Sequence, residues 1–336
     1  MHRLRPFLFL LSLAVPAATL AACTPTRMTV GPSVMEPVLA ETGTGLAARM
    51  EDGAWLPVRA FRAAEPKAVI LALHGFNDYS NAFAEPGPGP WFAGHGITLY
   101  AYDQRGFGSA PGHGFWAGEQ AMVRDAATML RLLRERYSGL PVYLMGSSMG
   151  GAVAMNLAAD PGAPKMDGLI LAAPAVWGWR SMNLLYRSAL WTAAHLAPDE
   201  SLTGQGLGIK PSDNIEMLRG LGRDPLVIKE TRIASIYGLV SLMDRAYEAA
   251  PKISVPVLYL YGAHDELVPR EPTAHAVTAL AADDPAFTFR CYGQGWHMLL
   301  RDKERETVWR DVANWVKTRK IAAAGEGDMR KSCGLL

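Results

Sequence analysis

The sequence predicts an α/β fold in which helices flank a mostly parallel central sheet. Short, continuously apolar runs recur along the chain, and such runs are typical of strands that are buried on both faces. They cover residues 68–73, 97–102, 142–146, 169–173, 256–262 and 287–293. Amphipathic helical patterns lie between several of them, and this alternation favours parallel strands joined by right-handed helical crossovers.

The first 22 residues have the pattern of a secretory signal, because a basic start precedes an apolar stretch at 6–22. That stretch is shorter than the roughly 20 residues that a membrane span needs. Leu20-Ala21-Ala22-Cys23 resembles a bacterial lipobox, which implies cleavage before Cys23 and lipidation of this residue. A nearby cut that frees the protein, or an uncleaved anchor, is the alternative. We therefore expect a lipid anchor at Cys23 in a bacterial cell envelope, on the periplasmic face of the outer membrane.

The folded domain is predicted to begin after a tether. Residues 23–43 carry prolines and little periodicity, which is typical of a linker. Asp52-Gly53 then separates two strand-like runs and predicts a β-hairpin. Apolar residues recur at helical spacing within 118–137 and 304–320. The predicted core comprises residues 44–173 and 254–321.

One interval between the apolar runs is too long for a loop. Residues 174–253 contain no run typical of the sheet but two helical patterns rich in Trp, Leu and Met. They predict a helical lid inserted after the sixth strand. The tail at 322–336 is expected to be disordered. Cys291 and Cys333 allow a bridge in an oxidising compartment, but a buried free thiol at Cys291 is the favoured interpretation.

A candidate nucleophile lies in Gly146-Ser147-Ser148-Met149-Gly150, between a strand-like run and a helical pattern. This is G-x-S-x-G at a strand-to-helix turn, where a strained serine presents its hydroxyl. Ser147 does not fit, because methionines rather than glycines stand two residues before it and two residues after it. The spacing therefore indicates Ser148.

An acid and a base follow Ser148 in the order that this architecture requires. Asp265 comes just past the run at 256–262, and His297 comes just past the last run at 287–293. Loops at the carboxyl ends of parallel strands meet at one edge of the sheet, so the three side chains are expected to converge there. His264 as the base and Glu266 as the acid are the weaker alternatives.

An oxyanion hole needs two backbone N–H groups. One is expected from Met149 at the start of the helix, where the helix dipole also favours negative charge. The other is expected from Phe76 in the loop after the first apolar run, although His74-Gly75 there also fits a plain turn. His74 is interpreted as structural, and Asp103 and Arg105 as residues that pin the neighbouring glycine-rich turn.

Composition excludes other classes of function. The net charge is +1 and no basic stripe is present, so nucleic acid is not an expected partner. No metal-binding motif occurs, and neither a metal nor a cofactor is expected. The oligomeric state is left open.

These motifs resemble the serine hydrolases of the α/β-hydrolase fold, in particular the monoacylglycerol lipase and lysophospholipase group (serine aminopeptidase S33-like). The resemblance covers about residues 45–320 and depends on "LHGF", "DQRGFGSAPG", "GSSMGG", "GAHDELVP" and "GWHML". It implies hydrolysis of esters that have a long acyl chain and a small polar head. The chain departs from the group at His-Gly-Phe-Asn-Asp and in the Pro/Gly-rich segment "AEPGPGPWFAGHG", both at the head-group end.

The sequence thus predicts a serine ester hydrolase that acts on lipid esters through an acyl-enzyme. Small soluble esters or thioesters are the alternative substrates, and a non-catalytic surface lipoprotein is the alternative of another class. Aromatic and apolar residues of the predicted lid are expected to contact the acyl chain or to pack the lid onto the core. The substrate-binding candidates among them are Trp177, Trp179, Leu185 and Tyr186.

Overall fold

The structure, a computed structural model, describes residue 25 and residues 27–204, 206, 208–282, 286–321 and 333–334. The predicted signal at 1–22 and the lipidation site at Cys23 lie outside the described residues. Among the residues that are described, none of the helices combines the length and the apolar character that a membrane span requires.

A nine-stranded sheet forms the centre of the fold, with the strand order β1-β2-β3-β5-β4-β6-β7-β10-β11. Within this sheet, β5, β4, β6, β7, β10 and β11 pair with one another in parallel. Strands β1, β2 and β3 are antiparallel to their neighbours. The bounds are Val38–Thr42 (β1), Gly45–Arg49 (β2), Trp55–Phe61 (β3), Ala68–Leu73 (β4), Ile97–Tyr102 (β5), Val142–Ser147 (β6), Leu169–Ala172 (β7), Val257–Gly262 (β10) and Phe287–Tyr292 (β11).

The apolar runs form strands because both of their faces are covered. Every residue of β4, β5 and β10 is buried, and one apolar cluster lies on each face of the sheet. The predicted α/β class with a mostly parallel sheet is confirmed. The predicted hairpin at Asp52-Gly53 is also confirmed, since β2 and β3 pair across it.

Helices cover both faces of this sheet. The predicted helices at 118–137 and 304–320 are confirmed as α2 and α8. The helices are Gly89–Gly94 (α1), Glu119–Arg136 (α2), Met149–Ala158 (α3), Leu184–Leu196 (α4), Ile215–Arg223 (α5), Ile233–Ala249 (α6), Arg270–Ala281 (α7) and Arg305–Thr318 (α8).

The end of the predicted tether is part of the sheet, which corrects the boundary at residue 43. Val38–Thr42 is strand β1 and pairs with β2, and the Met28 N–H donates to the Trp116 carbonyl at 2.9 Å. A short edge strand buries too little of itself to show clear alternation, so the sequence pattern missed it. Because of this additional strand, the insert follows the seventh strand of the chain and not the sixth.

The insert, residues 174–253, stands between β7 and β10 and contains α4, α5 and α6. It also contains a separate two-stranded sheet of Ser201–Thr203 (β8) and Glu230–Arg232 (β9). Its helices are shorter than the two helical patterns suggested. Helix α4 begins after the N-cap Asn183, whose side chain accepts the Tyr186 N–H, and the segment before α6 is loop and β9.

Cys291 and Cys333 form a disulfide, with their Cα atoms 6.0 Å apart, so the interpretation of Cys291 as a free thiol is wrong. Cys291 lies on β11, one of the two edge strands of the nine-stranded sheet. Cys333 is buried there. Apart from Cys333 and Gly334, the tail at 322–336 lies outside the described residues.

Candidate active site

Ser148 occupies a sharp turn between β6 and α3. Its backbone has φ 50° and ψ −116°, a positive-φ conformation that a non-glycine residue adopts only when its surroundings impose it. The Ser148 N–H donates to the Ala172 carbonyl at 3.0 Å, and its carbonyl accepts the Ala175 N–H at 3.0 Å. The neighbouring strand β7 therefore holds this serine in place.

Two glycines make this turn possible. A Cβ atom on Gly146 would overlap the carbonyl oxygen of Gly150, and one on Gly150 would overlap the carbonyl oxygen of Leu73. Gly151 is similarly close to Pro174. The G-x-S-x-G spacing is thus required by close packing of the turn on β4 and on its own helix.

Asp265 and His297 form a hydrogen-bonded pair at the ends of β10 and β11. The His297 Nδ1–H donates to Asp265 Oδ2 at 2.8 Å, and Asp265 Oδ1 accepts the Leu267 and Val268 N–H groups at 2.8 and 3.0 Å. The Asp265 side chain is fully buried, and that of His297 is 6% exposed. A carboxylate that accepts from Nδ1 leaves Nε2 as the free acceptor, which is the form a general base needs.

The two weaker alternatives for the acid and the base are not part of this pair. His264 is exposed and stacks on Trp296, with the ring centroids 5.1 Å apart. Glu266 is also exposed, and its Oε2 accepts the Lys210 N–H at 2.7 Å. Among the described residues, neither side chain has a hydrogen bond to His297, whose Nδ1–H is taken by Asp265.

Ser148 and His297 line one cavity of about 410 Å³ between the sheet edge and the insert. The remaining wall is mostly apolar and comes largely from the insert. It includes Trp177, Met182, Ile236, Leu239, Val240 and Met243.

The predicted oxyanion donors lie beside Ser148. Met149 is the first residue of α3, so its N–H has no acceptor within the helix. Phe76 lines the cavity, and a Cβ atom on the preceding Gly75 would be 3.5 Å from the Ser148 Cβ. The loop therefore approaches the serine closely, and the roles of Phe76 and Met149 stay predictions.

His74 is a structural residue, as the sequence indicated. It is fully buried, its Nε2 accepts the Gln104 N–H at 3.0 Å, and its Nδ1 bonds the Gly75 carbonyl at 2.8 Å. The Gln104 side chain in turn donates to the His74 carbonyl at 3.0 Å. Burial lowers the pKa of His74, which keeps the ring neutral and suits its accepting Nε2.

Asp103 and Arg105 hold the neighbouring turn, which confirms their predicted role. Asp103 accepts the Ser80 and Ser109 N–H groups at 3.0 and 2.8 Å. Arg105 is buried between Asp52 of the hairpin and Asp125 of α2, with ion pairs of 2.6 Å to each. Burial raises the pKa of Asp125 to about 6, whereas hydrogen bonds from Arg105 lower the pKa of Asp52.

The sequence did not identify an ion pair that also lines the cavity. Arg301 bonds Asp78, and their side chains are only 11% and 8% exposed. Asp78 ends the His-Gly-Phe-Asn-Asp segment, where the sequence departs from the lipase group that it resembles. That departure was the signal that could have pointed to Asp78. Arg301 follows His297 by a few residues on the same loop, and nothing in the sequence singled it out.

Of the four predicted substrate-binding residues, only Trp177 lines the cavity. Trp179 packs on Tyr237 and donates to the Ser241 hydroxyl at 3.1 Å. Leu185 and Tyr186 are 74% and 56% exposed. These three residues therefore do not line this cavity. Leu185 and Tyr186 lie on an exposed face of α4, and α6 supplies much of the wall instead.

The chain is similar in sequence to known lipases over most of its length. A profile of the family Hydrolase_4, serine aminopeptidase S33, matches residues 64–304. The monoglyceride lipase of Homo sapiens is 28% identical over 285 residues, covering 81% of this chain and 90% of that protein. The monoacylglycerol lipase of Mycolicibacterium smegmatis is 24% identical over 258 residues, covering 75% of this chain and 89% of that protein.

The fold is also shared with solved structures. A soluble variant of monoglyceride lipase from Saccharomyces cerevisiae, in complex with a substrate analog, superimposes with a TM-score of 0.70 at 18% identity. The match covers 88% of this chain and 100% of that chain. It establishes the α/β-hydrolase fold for the present chain.

Proposed function

The chain belongs to the serine aminopeptidase S33 family, Hydrolase_4, and from this premise we propose that it hydrolyses lipid esters such as monoacylglycerols or lysophospholipids. The observation that carries the proposal is that Ser148 and His297 line the same mostly apolar cavity. The volume of about 410 Å³ lies within the range of small-molecule sites.

The proposed reaction begins with Ser148. His297 Nε2 takes the hydroxyl proton while Ser148 Oγ attacks the ester carbonyl, and Asp265 stabilises the imidazolium through Nδ1–H. The Phe76 and Met149 N–H groups hold the oxyanion. The tetrahedral intermediate then expels the alcohol, which takes the proton from His297, and leaves the acyl group on Ser148. Water, deprotonated by His297, attacks this acyl-enzyme and releases the fatty acid and free Ser148.

The insert is proposed to act as a lid over the acyl chain. Eight apolar residues of the insert line the cavity, and burial of each methylene against such a wall contributes about 0.8 kcal/mol. Long acyl chains therefore gain more binding energy than short ones. This argument favours lipid esters over small soluble esters.

The charged part of the cavity lining is proposed to hold the alcohol part of the ester. Asp78 and Arg301 lie there as an ion pair, so their charges balance. A small hydroxylated head can donate to the carboxylate and accept from the guanidinium without adding net charge. The pair therefore supports a neutral alcohol such as glycerol.

The protein is further proposed to be attached to a bacterial envelope membrane by lipid at Cys23. The sequence pattern at 1–22 supports this. The Cys291–Cys333 bridge also supports it, because disulfides persist in oxidising compartments. Incorporation of radiolabelled palmitate should disappear in Cys23→Ser, and label that survives this substitution would exclude lipidation at Cys23.

A labelling experiment tests the catalytic proposal. A fluorophosphonate probe should label the folded wild type and the matched Ser147→Ala variant, but not Ser148→Ala. Equal labelling of Ser148→Ala, or none of the wild type, would falsify the nucleophile assignment. A panel of monoacylglycerols, lysophospholipids and short esters then identifies the substrate class, and faster turnover of short soluble esters would overturn the lipid assignment.

The head-group assignment has a separate test. Asp78→Asn should slow hydrolysis of a monoacylglycerol more than that of the ethyl ester with the same acyl chain. Glu266→Gln, an exposed acid outside the cavity, is the control and should leave the ratio unchanged. An equal loss on both esters in Asp78→Asn would remove Asp78 from head-group recognition.

A further inference from the structure

A second cavity opens on the outer side of the insert. It has a volume of about 490 Å³ and lies between α4, α6 and the segment before α4. We call it the outer groove. Its lining residues are Trp179, Leu184, Arg187, Ser188, Trp191, Thr192 and Tyr237.

The outer groove has one helix face as its side and a fixed aromatic floor. The residues from α4 recur at the spacing of a single helical face, from Leu184 to Thr192. Trp179 and Tyr237 form the floor, with ring centroids 4.9 Å apart. Ser241 ties Trp179 to α6, because its hydroxyl accepts from the Trp179 indole N–H at 3.1 Å and donates to the backbone carbonyl of Tyr237 at 3.0 Å.

A single positive charge lies in this otherwise apolar and hydroxyl-bearing groove. Two other arginines of the insert are paired, Arg180 with Asp244 and Arg232 with Asp199. No carboxylate of the described residues pairs with Arg187, which is exposed and lines the outer groove. An apolar channel with an unpaired guanidinium complements a molecule that has an apolar chain and an anionic end.

The outer groove is separate from the catalytic cavity but shares a wall with it. Along the segment before α4, Trp177 and Met182 face the catalytic cavity, whereas Trp179 faces the outer groove. On α6, Ile236 lines the catalytic cavity and its neighbour Tyr237 lines the outer groove. One layer of the insert thus lies between the two spaces.

We infer that the outer groove binds the anion of a fatty acid, with the chain on the aromatic floor and the carboxylate on Arg187. A carboxylate matches the planar fork of a guanidinium and forms two parallel hydrogen bonds with it. The choice of a fatty acid rests on the proposed function, since it is the acid that hydrolysis of a lipid ester releases. The site itself does not depend on turnover.

Titration of the full-length Ser148→Ala protein with laurate tests the inference, because no catalysis is then needed. Calorimetry should show saturable binding that Arg187→Ala weakens about tenfold or more. Arg219→Ala is the matched control, since Arg219 is an exposed arginine on the neighbouring helix α5 that lines neither cavity, and it should bind as the parent does. Dodecanol has the same chain without the charge, so its binding affinity should be the same in Arg187→Ala as in the parent protein.

Two controls separate this site from other outcomes. Trp191→Ala should weaken laurate binding without changing fluorophosphonate labelling in a Ser148 background, so a failed catalytic proposal stays distinguishable from a failed groove. Cosedimentation with phosphatidylglycerol vesicles forms the second arm. Equal laurate affinity in the Arg187→Ala and parent proteins would overturn the inference, and so would an effect of Arg187→Ala that appears only with vesicles.

Discussion

Replacement of Asp265 by Asn tests the acid–base pair most directly. The carboxylate accepts three hydrogen bonds, from the Leu267 and Val268 N–H groups and from His297 Nδ1–H. An Asn side chain has one oxygen, which the two backbone N–H groups retain, and its NH₂ group then faces Nδ1. Two donors cannot share a hydrogen bond, so the imidazole is forced to carry its proton on Nε2.

The expected loss follows from this change of tautomer. With Nε2 protonated, His297 cannot take the proton of Ser148, and the imidazolium also loses the adjacent negative charge. The same exchange in the triad of a serine protease lowers kcat about 10⁴-fold. We expect a loss of about 10³ to 10⁴, which corresponds to about 4 to 5.5 kcal/mol in the activation barrier.

Steady-state hydrolysis of a p-nitrophenyl ester over a range of pH measures this loss. The melting temperature should change little, because the backbone hydrogen bonds to residue 265 remain. Glu266→Gln is the control and should keep full activity, since Glu266 is exposed and bonds only the Lys210 N–H among the described residues. The reasoning fails if Asp265→Asn retains more than about a tenth of kcat, or if Glu266→Gln loses as much.

Three further predictions concern the turn, the bridge and the buried histidine. Gly150→Ala should destabilise the protein by about 1 to 3 kcal/mol in urea unfolding, because its Cβ would overlap the Leu73 carbonyl; Gly220→Ala on α5 has nothing within 4 Å and should be neutral or slightly stabilising. Cys291→Ser should lower stability by about 4 kcal/mol from the loop closed by a sequence separation of 42, and dithiothreitol should then have no further effect on the melting temperature. Burial lowers the pKa of His74 below 6.5, so its contribution to stability is present above pH 6.5 and is lost as the pH falls toward the folded-state pKa, with a slope of at most about 1.4 kcal/mol per pH unit. Unfolding curves of His74→Asn at several pH values should lack this component, and an unchanged pH dependence would contradict it.

The parts of the site that could be predicted are those that depend on a short stretch of sequence or on a position at the end of a strand. Ser148 was identified because close packing imposes glycines on both sides of it, and that spacing is visible in the sequence. Asp265 and His297 were identified because each follows a buried strand, and the ends of parallel strands share one edge. The order of the acid before the histidine along the chain was then sufficient to predict that Asp265 and His297 form a pair.

What the sequence did not reveal depends on contacts between distant segments. The direction of the outer face of α4 is set by how α4 packs on α6, so Leu185 and Tyr186 had no local signal for exposure. Pairing of Cys291 with Cys333 depends on where the tail returns. A role for Arg301 follows only from its ion pair with Asp78, which is distant in the sequence.

The loop that carries the Phe76 N–H is fastened to the insert by three hydrogen bonds. The Asn77 side chain donates to the Thr231 hydroxyl at 2.7 Å, the Asn77 carbonyl accepts the Ile228 N–H at 3.0 Å, and the Tyr79 hydroxyl donates to Asp224 at 2.8 Å. An outward swing of the insert must break these bonds or pull the loop away from Ser148. An outward swing that keeps these bonds would carry the Phe76 N–H, the proposed oxyanion donor, away from Ser148. Opening of the insert and displacement of this donor would then be coupled.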